Sequence, residues 1–296
     1  MQFRPLDGRQ TFYLMAKAQQ IKTETAHTAD EKELNLRSLM HEMKSVLVAY
    51  SGGVDSTYLA LIATQELGDK AICVTGISPS VSDAQREQAE KIAEDFKFNF
   101  QTIQTEELEN PDYNSNPTNR CYFCKTELYG KLEPFAKEKG IEYVLDGANT
   151  DDTSDYRPGR LAATEKGVRS PLIEVGLCKD EIRELSRKQN LPTWDAPGSP
   201  CLSSRIAYGL PVTIERLSKV ERGEEFLRQQ GFREFRVRVH EQLARLEIAP
   251  DEMPRALDLE MTGKLAEKFR NLGFLYVTID LHGFRSGAMN EVLNSE

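Results

Sequence analysis

The stretch "VAYSGGVDSTYLA", from Val48 to Ala60, decides the fold. It continues the apolar run "SVLVAY", whose β-branched residues are typical of a buried parallel strand. Two glycines follow, and glycine permits the tight turns that other residues avoid. After them, "DSTYLALIATQEL" has the composition of a helix. The sequence therefore predicts a strand, a tight turn and a helix in direct succession.

This turn has the features of an anion-binding loop. Gly52 and Gly53 let main-chain N–H groups approach an anion closely, and the helix that follows adds unpaired N–H donors at its N-terminus. Ser51, Ser56 and Thr57 add hydroxyl donors. No lysine stands where a Walker loop has Gly-Lys-Ser/Thr, so this is a different motif. The alternative is an ordinary strand–turn–helix that contains a glycine pair.

Asp55 is the unexpected member of the loop, because a carboxylate repels phosphates unless a cation lies between them. A magnesium ion bound to Asp55 would remove that conflict.

The surrounding chain alternates strands with helices. "KAICVTGI", "NFQTIQT" and "EYVLDGAN" have strand composition, and helical segments separate them. This alternation predicts an α/β fold, a parallel sheet with helices on both faces.

From Asp195, "DAPGSPCLSSRIAYGLP" is typical of a functional loop, and beyond it "FRVRV" and "ARLEIA" alternate like an antiparallel pair. We predict a polar extension (1–28), an α/β domain (29–208) and a smaller α+β domain (209–296) for substrate binding or oligomerisation.

Composition restricts the partners and the compartment. The chain has 296 residues, with 47 acidic against 38 basic side chains and a net charge of −9. This balance argues against broad binding of nucleic acids or anionic membranes. No apolar stretch approaches the ~20 residues that span a bilayer, and the N-terminus lacks a signal-peptide pattern. Five cysteines, an odd number, argue against a disulfide framework, so we expect a reduced cytoplasmic protein.

Three of the cysteines occur in distinctive settings. Cys121 and Cys124 lie two residues apart in "NRCYFCK", before a predicted helix, and Cys201 lies in the loop "SPCLSSR". Three thiolates suit a [4Fe–4S] cluster with one iron free of protein ligands. Structural zinc needs four ligands, and Cys178, the remaining candidate, lies at an ordinary helix start. A redox pair gives Cys201 no role, and three unrelated thiols remain an alternative. Cys73 is expected in the core.

The loop "SGGVDS" resembles the pyrophosphate-loop (PP-loop) motif of the N-type ATP pyrophosphatase superfamily. The resemblance implies cleavage of ATP between its α and β phosphates and adenylation of a substrate. It implies that adenine lies near Ala49, Tyr50, Thr75 and Ile77. It also implies that Gly147, in "DGANTDD", closes over the nucleotide.

Further stretches extend the resemblance to residues 30–290. "NRCYFCKTELY", "LDGANTDD" with "DYRPGRLAATEKGVRSPL", and "DAPGSPCLSSRIAYG" resemble the LarE family of ATP-dependent sulfur transferases, which act in nickel-pincer nucleotide synthesis. The resemblance implies a pyridinium dicarboxylate mononucleotide as substrate. Its carboxylate is adenylated and then converted to a thiocarboxylate. The resemblance also implies a homo-oligomer, and the sulfide donor is not indicated.

The family has two sulfur sources. In one, a lone cysteine, here Cys201, gives up its sulfur and becomes dehydroalanine. In the other, three cysteines hold a cluster that delivers sulfide, and here Cys121, Cys124 and Cys201 are all present. We therefore favour the cluster. Two other functions stay open: a tRNA-thiolating enzyme with the same loop, and a non-enzymatic adenine-nucleotide-binding module with a zinc knuckle.

Phosphates on the substrate and on the adenylate require cationic partners, and guanidinium groups suit them best. Arg205 closes the "CLSSR" loop. Arg236 and Arg238 alternate with valines, so they share one strand face and could clamp a phosphate. Glu247, on the partner strand, could pair with one of them or hold a metal. The alternative is a solvated strand face with weak salt bridges.

Overall fold

The computed structural model describes residues 28–153, 157–198, 200–285 and 287–294. The predicted polar extension lies outside the described residues except for Thr28, which caps the first helix. The Thr28 hydroxyl accepts a hydrogen bond from the Glu31 N–H, and the Glu31 carboxylate accepts one from the Thr28 N–H. This reciprocal capping box satisfies two N–H groups that a helix start leaves unpaired.

The first sheet has four parallel strands: β1 (Val46–Ala49), β2 (Ala71–Ile77), β3 (Asn99–Gln104) and β4 (Tyr143–Leu145). Their spatial order is β3-β2-β1-β4, and all three strand pairs are parallel. The predicted α/β class is confirmed. The "SGGVDS" loop follows β1, in the centre of the sheet.

The helices around this sheet are α1 (Ala29–Met43), α2 (Val54–Leu67), α3 (Asp83–Asp95), α4 (Pro111–Asn114), α5 (Arg120–Glu138), α6 (Pro158–Glu165), α7 (Pro171–Glu174) and α8 (Lys179–Lys188). Side chains of β1 alternate between two cores. Val46 and Val48 pack with α1, α2 and α3, whereas Leu47 and Ala49 pack with α5 and α6. The sheet is therefore covered on both faces, as a parallel sheet requires.

The path of the chain explains where a ligand can bind. The connections through α2 and α3 lie on one face of the sheet, and the connection through α5 lies on the other. The strand order therefore reverses between β1 and β4, and a crevice opens at the carboxyl ends of these two strands. Ligands of open α/β sheets bind in such a crevice. The loops after β1 and after β4 contain the predicted nucleotide-binding residues.

The second sheet consists of β5 (Phe235–His240), β6 (Leu243–Ile248) and β7 (Tyr276–Ile279). Strands β5 and β6 are antiparallel, as "FRVRV" and "ARLEIA" predict, and β7 is parallel to β6. Three helices accompany it: α9 (Ile214–Gln229), α10 (Met253–Ala256) and α11 (Leu259–Asn271). Within the described part of the chain, no helix is long and apolar enough to cross a bilayer.

The segment 200–207 connects the two sheets. The Leu202 N–H donates to the carbonyl of Ser80, just beyond β2, at 2.8 Å, and the Ala207 N–H donates to the carbonyl of Val239 in β5 at 3.0 Å. Leu202 and Ile206 pack in the core of the second sheet. The predicted domain boundary at 208/209 stays a prediction, since this core includes residues on both sides of it.

Candidate active site

The loop after β1 has a conformation that requires glycine. Gly52 has a φ of +70°, and a Cβ atom there would lie 2.8 Å from the Cβ of Ala89. The Ser51 N–H and hydroxyl bond the Ser56 hydroxyl at 3.2 and 2.9 Å. Gly53 begins α2 without a side-chain cap, so the first N–H groups of the helix can bind an anion.

Lys179 lies directly beside this loop. Its Nζ is 2.6 Å from Oδ2 of Asp55, and its backbone N–H donates to the Asp151 carboxylate at 2.9 Å. Sequence analysis missed this lysine. It is the first residue of α8, where a positive charge opposes the helix dipole. That unfavourable position is the signal that could have identified it.

The surroundings of Asp55 fit the predicted magnesium ion. Its Oδ1 is buried and has no hydrogen-bond partner among the described residues. The same residues contain no group of three His, Cys, Asp or Glu side chains that could hold a metal ion. Magnesium does not require such a group, because one carboxylate, substrate phosphates and water suffice. Mg²⁺ at Asp55 remains a proposal.

The loop after β4 packs tightly on the loop after β1. A Cβ atom on Gly147 would lie 2.8 Å from the backbone nitrogen of Ser56, so only glycine fits. The preceding residue, Asp146, accepts hydrogen bonds from the hydroxyl groups of Tyr129 at 3.2 Å and Ser170 at 2.7 Å. Both loops are therefore held in one position at the crevice.

The predicted adenine-binding residues lie at the ends of β1 and β2. Ala49 and Thr75 are buried, and the Thr75 hydroxyl donates to the carbonyl of Tyr50 at 2.7 Å. Ile77 lines a cavity of about 430 Å³ between the segment after β2 and α9. Contact with adenine stays a prediction for all four residues.

Helix α5 begins at Arg120, so Cys121 and Cys124 lie in its first turn rather than before it as predicted. Their spacing of three places them on neighbouring positions of one helix face. Cys201 directly precedes the 3₁₀ turn Leu202–Arg205. Burial, and then the nearby Cys201 thiol, raise the pKa of both Cys121 and Cys124. The three thiols are therefore close enough to influence one another.

In the described structure the three thiols are not arranged around one metal ion. A zinc ion needs its ligands to converge on one point, and no three His, Cys, Asp or Glu side chains of the described chain do so. In a [4Fe–4S] cluster each thiolate binds a different iron atom, so convergence is not needed. All three thiols are free of disulfides. The cluster itself remains a proposal.

Lys125 connects the thiols to the nucleotide crevice. Its ammonium group lies 5.5 Å from the centre of the Tyr129 ring. Tyr129, most strongly, and then Cys124 and Asp146 raise the pKa of Lys125. Tyr129 also donates to Asp146, which begins the loop that packs on the phosphate loop, so α5 is connected to the phosphate loop through Tyr129.

Arg205 and Arg238, two of the predicted anion-binding arginines, both form ion pairs within the protein, and anion binding by either stays a prediction. Arg205 is buried and pairs with Glu224 at 2.9 Å, and Arg238 is buried and pairs with Glu247 at 2.8 Å. Two roles were considered for Glu247, an ion pair and a metal ligand, and in the structure it forms the ion pair with Arg238. These pairs neutralise both charges inside the protein, because an unpaired buried charge is strongly unfavourable.

Arg236 differs from these two arginines. It forms no ion pair with any carboxylate in the described ranges, and its guanidinium donates to the carbonyls of Phe235 at 2.6 Å and Gly198 at 2.5 Å. Burial, followed by the charges of Arg205 and Arg238, lowers the pKa of Arg236 from 12.5 to about 10. An anion beside Arg236 would relieve that repulsion.

Comparison with known proteins identifies the family. The NAD synthase family profile matches residues 29–116. A protein of Synechocystis sp., described as uncharacterized, is 46% identical over 264 residues, which are 89% of this chain and 98% of that protein. The pyridinium-3,5-bisthiocarboxylic acid mononucleotide synthase of Lactiplantibacillus plantarum is 34% identical over 267 residues, 90% of this chain and 96% of that protein. The chain belongs to the LarE family of ATP-dependent sulfur transferases.

A more distant relative matches a smaller share of the chain. The glutamine-hydrolyzing GMP synthase of Clostridium tetani is 25% identical over 221 residues, 68% of this chain but 43% of that protein. The part of the chain that matches the NAD synthase profile, 29–116, contains β1, β2 and β3. In this LarE-family chain, the three candidate cysteines all lie beyond that profile.

Proposed function

We propose that this LarE-family chain uses ATP to convert a carboxylate of pyridinium-3,5-biscarboxylic acid mononucleotide into a thiocarboxylate. The Lactiplantibacillus plantarum relative, a pyridinium-3,5-bisthiocarboxylic acid mononucleotide synthase, supports the product class. The observation that carries the proposal is the series of contacts from the phosphate loop through Gly147 and Asp146 to Tyr129 in α5, the helix whose first turn contains Cys121 and Cys124. Adenylation and sulfur transfer require these two groups to face one substrate.

In the adenylation step, a substrate carboxylate oxygen attacks the α phosphorus of ATP. The bond to the bridging oxygen breaks, and pyrophosphate leaves with the electron pair. The N–H groups of Gly52 and Gly53 and the α2 N-terminus bind the pyrophosphate. Lys179 leaves Asp55 and contacts the phosphates, which adds a positive charge where negative charge develops. Asp55 would hold the Mg²⁺ ion, which would supply further charge neutralisation.

In the second step, a sulfur nucleophile attacks the acyl carbon. A C–S bond forms, the C–O bond to AMP breaks, and AMP leaves with that electron pair. We propose that Cys121, Cys124 and Cys201 would hold a [4Fe–4S] cluster, and that this group, when bound, would supply sulfide as the nucleophile. Cys121 is exposed and Cys124 and Cys201 are partly buried, so the three thiols are accessible to a bound substrate.

The second sheet supplies the substrate-binding residues in this proposal. Arg236 binds the phosphate of the mononucleotide, because it is the arginine of the three without a carboxylate partner in the described structure. Arg205 and Arg238 position the Cys201 loop: Arg205 donates to the Cys201 carbonyl at 3.0 Å and Arg238 to the Ser204 carbonyl at 3.0 Å. A cytoplasmic homo-oligomer without nucleic acid remains our expectation.

Anaerobic iron and sulfide analysis with visible absorption spectra decides the sulfur source. The wild type is expected to bind a [4Fe–4S] cluster, Cys124→Ala to lose it, and the matched control Cys178→Ala to retain it. If the reconstituted wild type binds no iron and Cys201 is recovered as dehydroalanine after turnover, Cys201 is the sacrificial donor and the cluster proposal is wrong.

A product assay tests the reaction itself. The full chain, with ATP, Mg²⁺, sulfide and the dicarboxylate mononucleotide, is expected to yield AMP, pyrophosphate and a thiocarboxylate seen by mass spectrometry. Nucleotide binding without any thiocarboxylate would refute the proposed function. A gel-shift with bulk tRNA that showed tight binding at moderate salt would favour a tRNA-thiolating enzyme instead.

A further inference from the structure

Arg120 is a buried guanidinium without a carboxylate. Arg120 is 4% exposed, and within the ranges that the structure describes it forms no ion pair. The buried arginines Arg205 and Arg238 each have a glutamate partner. A buried charge is retained only when other groups compensate it. The environment of Arg120 therefore has to supply negative charge in another form.

Arg120 also connects the two segments that carry the cysteines. Its Nη1 donates to the Ser203 carbonyl at 2.9 Å and to the Asn116 side-chain oxygen. Asn116 is fully buried with a φ of +55°, a conformation that few residues other than glycine adopt. Its amide group donates to the Ala207 carbonyl at 2.8 Å. Arg120 and Asn116 thus hold the start of α5 against the segment that follows Cys201.

The titratable groups facing Arg120 are thiols and phenols. Burial, the largest effect, opposes the charge of Arg120, but Cys201, Cys121, Tyr113 and Tyr208 together raise its pKa. Arg120 directly precedes Cys121 in the chain and is bonded to Ser203, two residues after Cys201. A negative group held by these cysteines would therefore face the charge of Arg120.

We propose that Arg120 is a positioning residue of the sulfur site: it sets the spacing between the Cys121–Cys124 turn and the Cys201 segment, and it balances the charge of the anionic sulfur group held there. This inference rests on the proposed function. In this proposal the anionic sulfur group needs a fixed positive charge besides its cysteine ligands, and no carboxylate neutralises that charge. Groups that contact metal ligands commonly change metal affinity by about 10–100-fold, and charge around a cluster changes its reduction potential.

Two substitutions separate charge from spacing. Arg120→Lys keeps the charge but cannot make both hydrogen bonds, and Arg120→Gln loses the charge. Arg183→Gln is the matched control, because Arg183 also donates to two loop carbonyls, of Trp194 and Ala196, but is not among the groups facing the thiols. The readouts are iron and sulfide per chain after anaerobic reconstitution, the midpoint potential of the cluster, and hydrogen exchange of residues 200–207 in metal-free protein.

We expect Arg120→Gln to bind iron about 10-fold more weakly, with a midpoint potential shifted to more negative values. Arg120→Lys should keep a potential near that of the wild type, while both variants show faster exchange at 200–207. Arg183→Gln should match the wild type in iron content and potential. If Arg120→Gln had the iron content and midpoint potential of the wild type, the proposal would be overturned. Equal losses of iron in Arg120→Lys and Arg120→Gln would overturn it as well.

Failure of the proposed cluster is a distinguishable result. If the wild type binds no iron, hydrogen exchange in the metal-free variants still tests the spacing role. Conversion of Cys201 to dehydroalanine per turnover then tests the charge role, with a decrease expected in Arg120→Gln and not in Arg120→Lys. Unchanged exchange and unchanged conversion in both variants would reject the role of Arg120 whatever the sulfur source.

Discussion

At the residue scale, the crevice depends on two close contacts. Gly147 lies against the backbone of Ser56, and Lys179 lies against the carboxylate of Asp55. The first contact fixes the distance between the loops after β1 and β4. The second provides a cation that the loop sequence itself lacks. Both contacts can be removed by single substitutions with suitable controls.

Gly147→Ala is expected to destabilise the protein by about 1–3 kcal/mol, because the new methyl group meets backbone atoms that cannot move aside. Pyrophosphate release should also slow, since the loops are forced apart. The control is Gly130→Ala in α5, where a Cβ atom meets nothing within 4 Å. Urea denaturation and a pyrophosphate assay measure the two effects. Equal stability of both variants would contradict the close contact.

Lys179→Met is expected to lower kcat/KM for ATP by about 10²–10³-fold, the typical effect of removing a group that stabilises developing charge. Lys188→Met removes a lysine from the same helix that pairs with the exposed Asp30. That control should leave the pyrophosphate assay unchanged. If Lys179→Met and Lys188→Met gave the same kinetics, the lysine would serve only to pair with Asp55.

At the element scale, α1 is attached to α8 by side chains at the beginning of each helix. Lys32 lies 2.7 Å from the carboxylate of Glu181, and the same carboxylate accepts the N–H of Cys178, the N-cap of α8, at 3.0 Å. Burial, the largest effect, raises the pKa of Glu181, but the hydrogen bonds from Lys32 and Cys178 outweigh it and the pKa is lowered from 4.5.

This lowered pKa makes the attachment of α1 depend on pH. Because the folded state binds the Glu181 proton more weakly than the unfolded state does, the stabilisation is present above pH 4.5 and disappears as pH falls through the folded pKa. Glu181→Gln should cost about 1 kcal/mol at pH 7 and progressively less below pH 4.5. The exposed control Glu87→Gln should show no such trend. A pH-independent difference in unfolding free energy would contradict this account.

At the scale of the whole molecule, the two sheets are expected to unfold together. Tyr113, from the first half of the chain, packs in the core of the second sheet. Its hydroxyl bonds the hydroxyl groups of Ser80 at 2.8 Å and Ser203 at 2.6 Å. These buried contacts connect the segment after β2, α4 and the Cys201 segment.

Tyr113→Phe should cost about 1–3 kcal/mol, because it removes both buried hydrogen bonds of the Tyr113 hydroxyl and leaves the Ser80 and Ser203 hydroxyls only each other as partners. Tyr122→Phe is the control, since the Tyr122 hydroxyl bonds Glu165 at the surface. Hydrogen exchange should accelerate in both sheets of Tyr113→Phe by the same factor. Faster exchange in the second sheet alone would show that the two parts unfold independently.

The sequence predicts the helices and strands of this molecule better than it predicts its ion pairs. The loop after β1, both sheets and the position of Gly147 follow from local patterns, since strand period and glycine turns act over a few residues. Lys179 meets Asp55 across 124 positions, and Glu224 meets Arg205 across 19. Such pairs depend on tertiary packing. The sequence places the start of α5 too late, although Asn119 is a typical N-cap residue; in the structure Asn119 is the N-cap but makes no side-chain cap.

The segment after Cys201 is bonded to one sheet at Leu202 and to the other at Ala207. A thiol at its start cannot swing freely like a carrier arm, so, if Cys201 acts in sulfur transfer as proposed, the adenylate has to form within bonding reach of it. The same two attachments make the segment sensitive to the relative rotation of the sheets. A ligand that tilts either sheet can therefore alter sulfur delivery mechanically, without touching the sulfur.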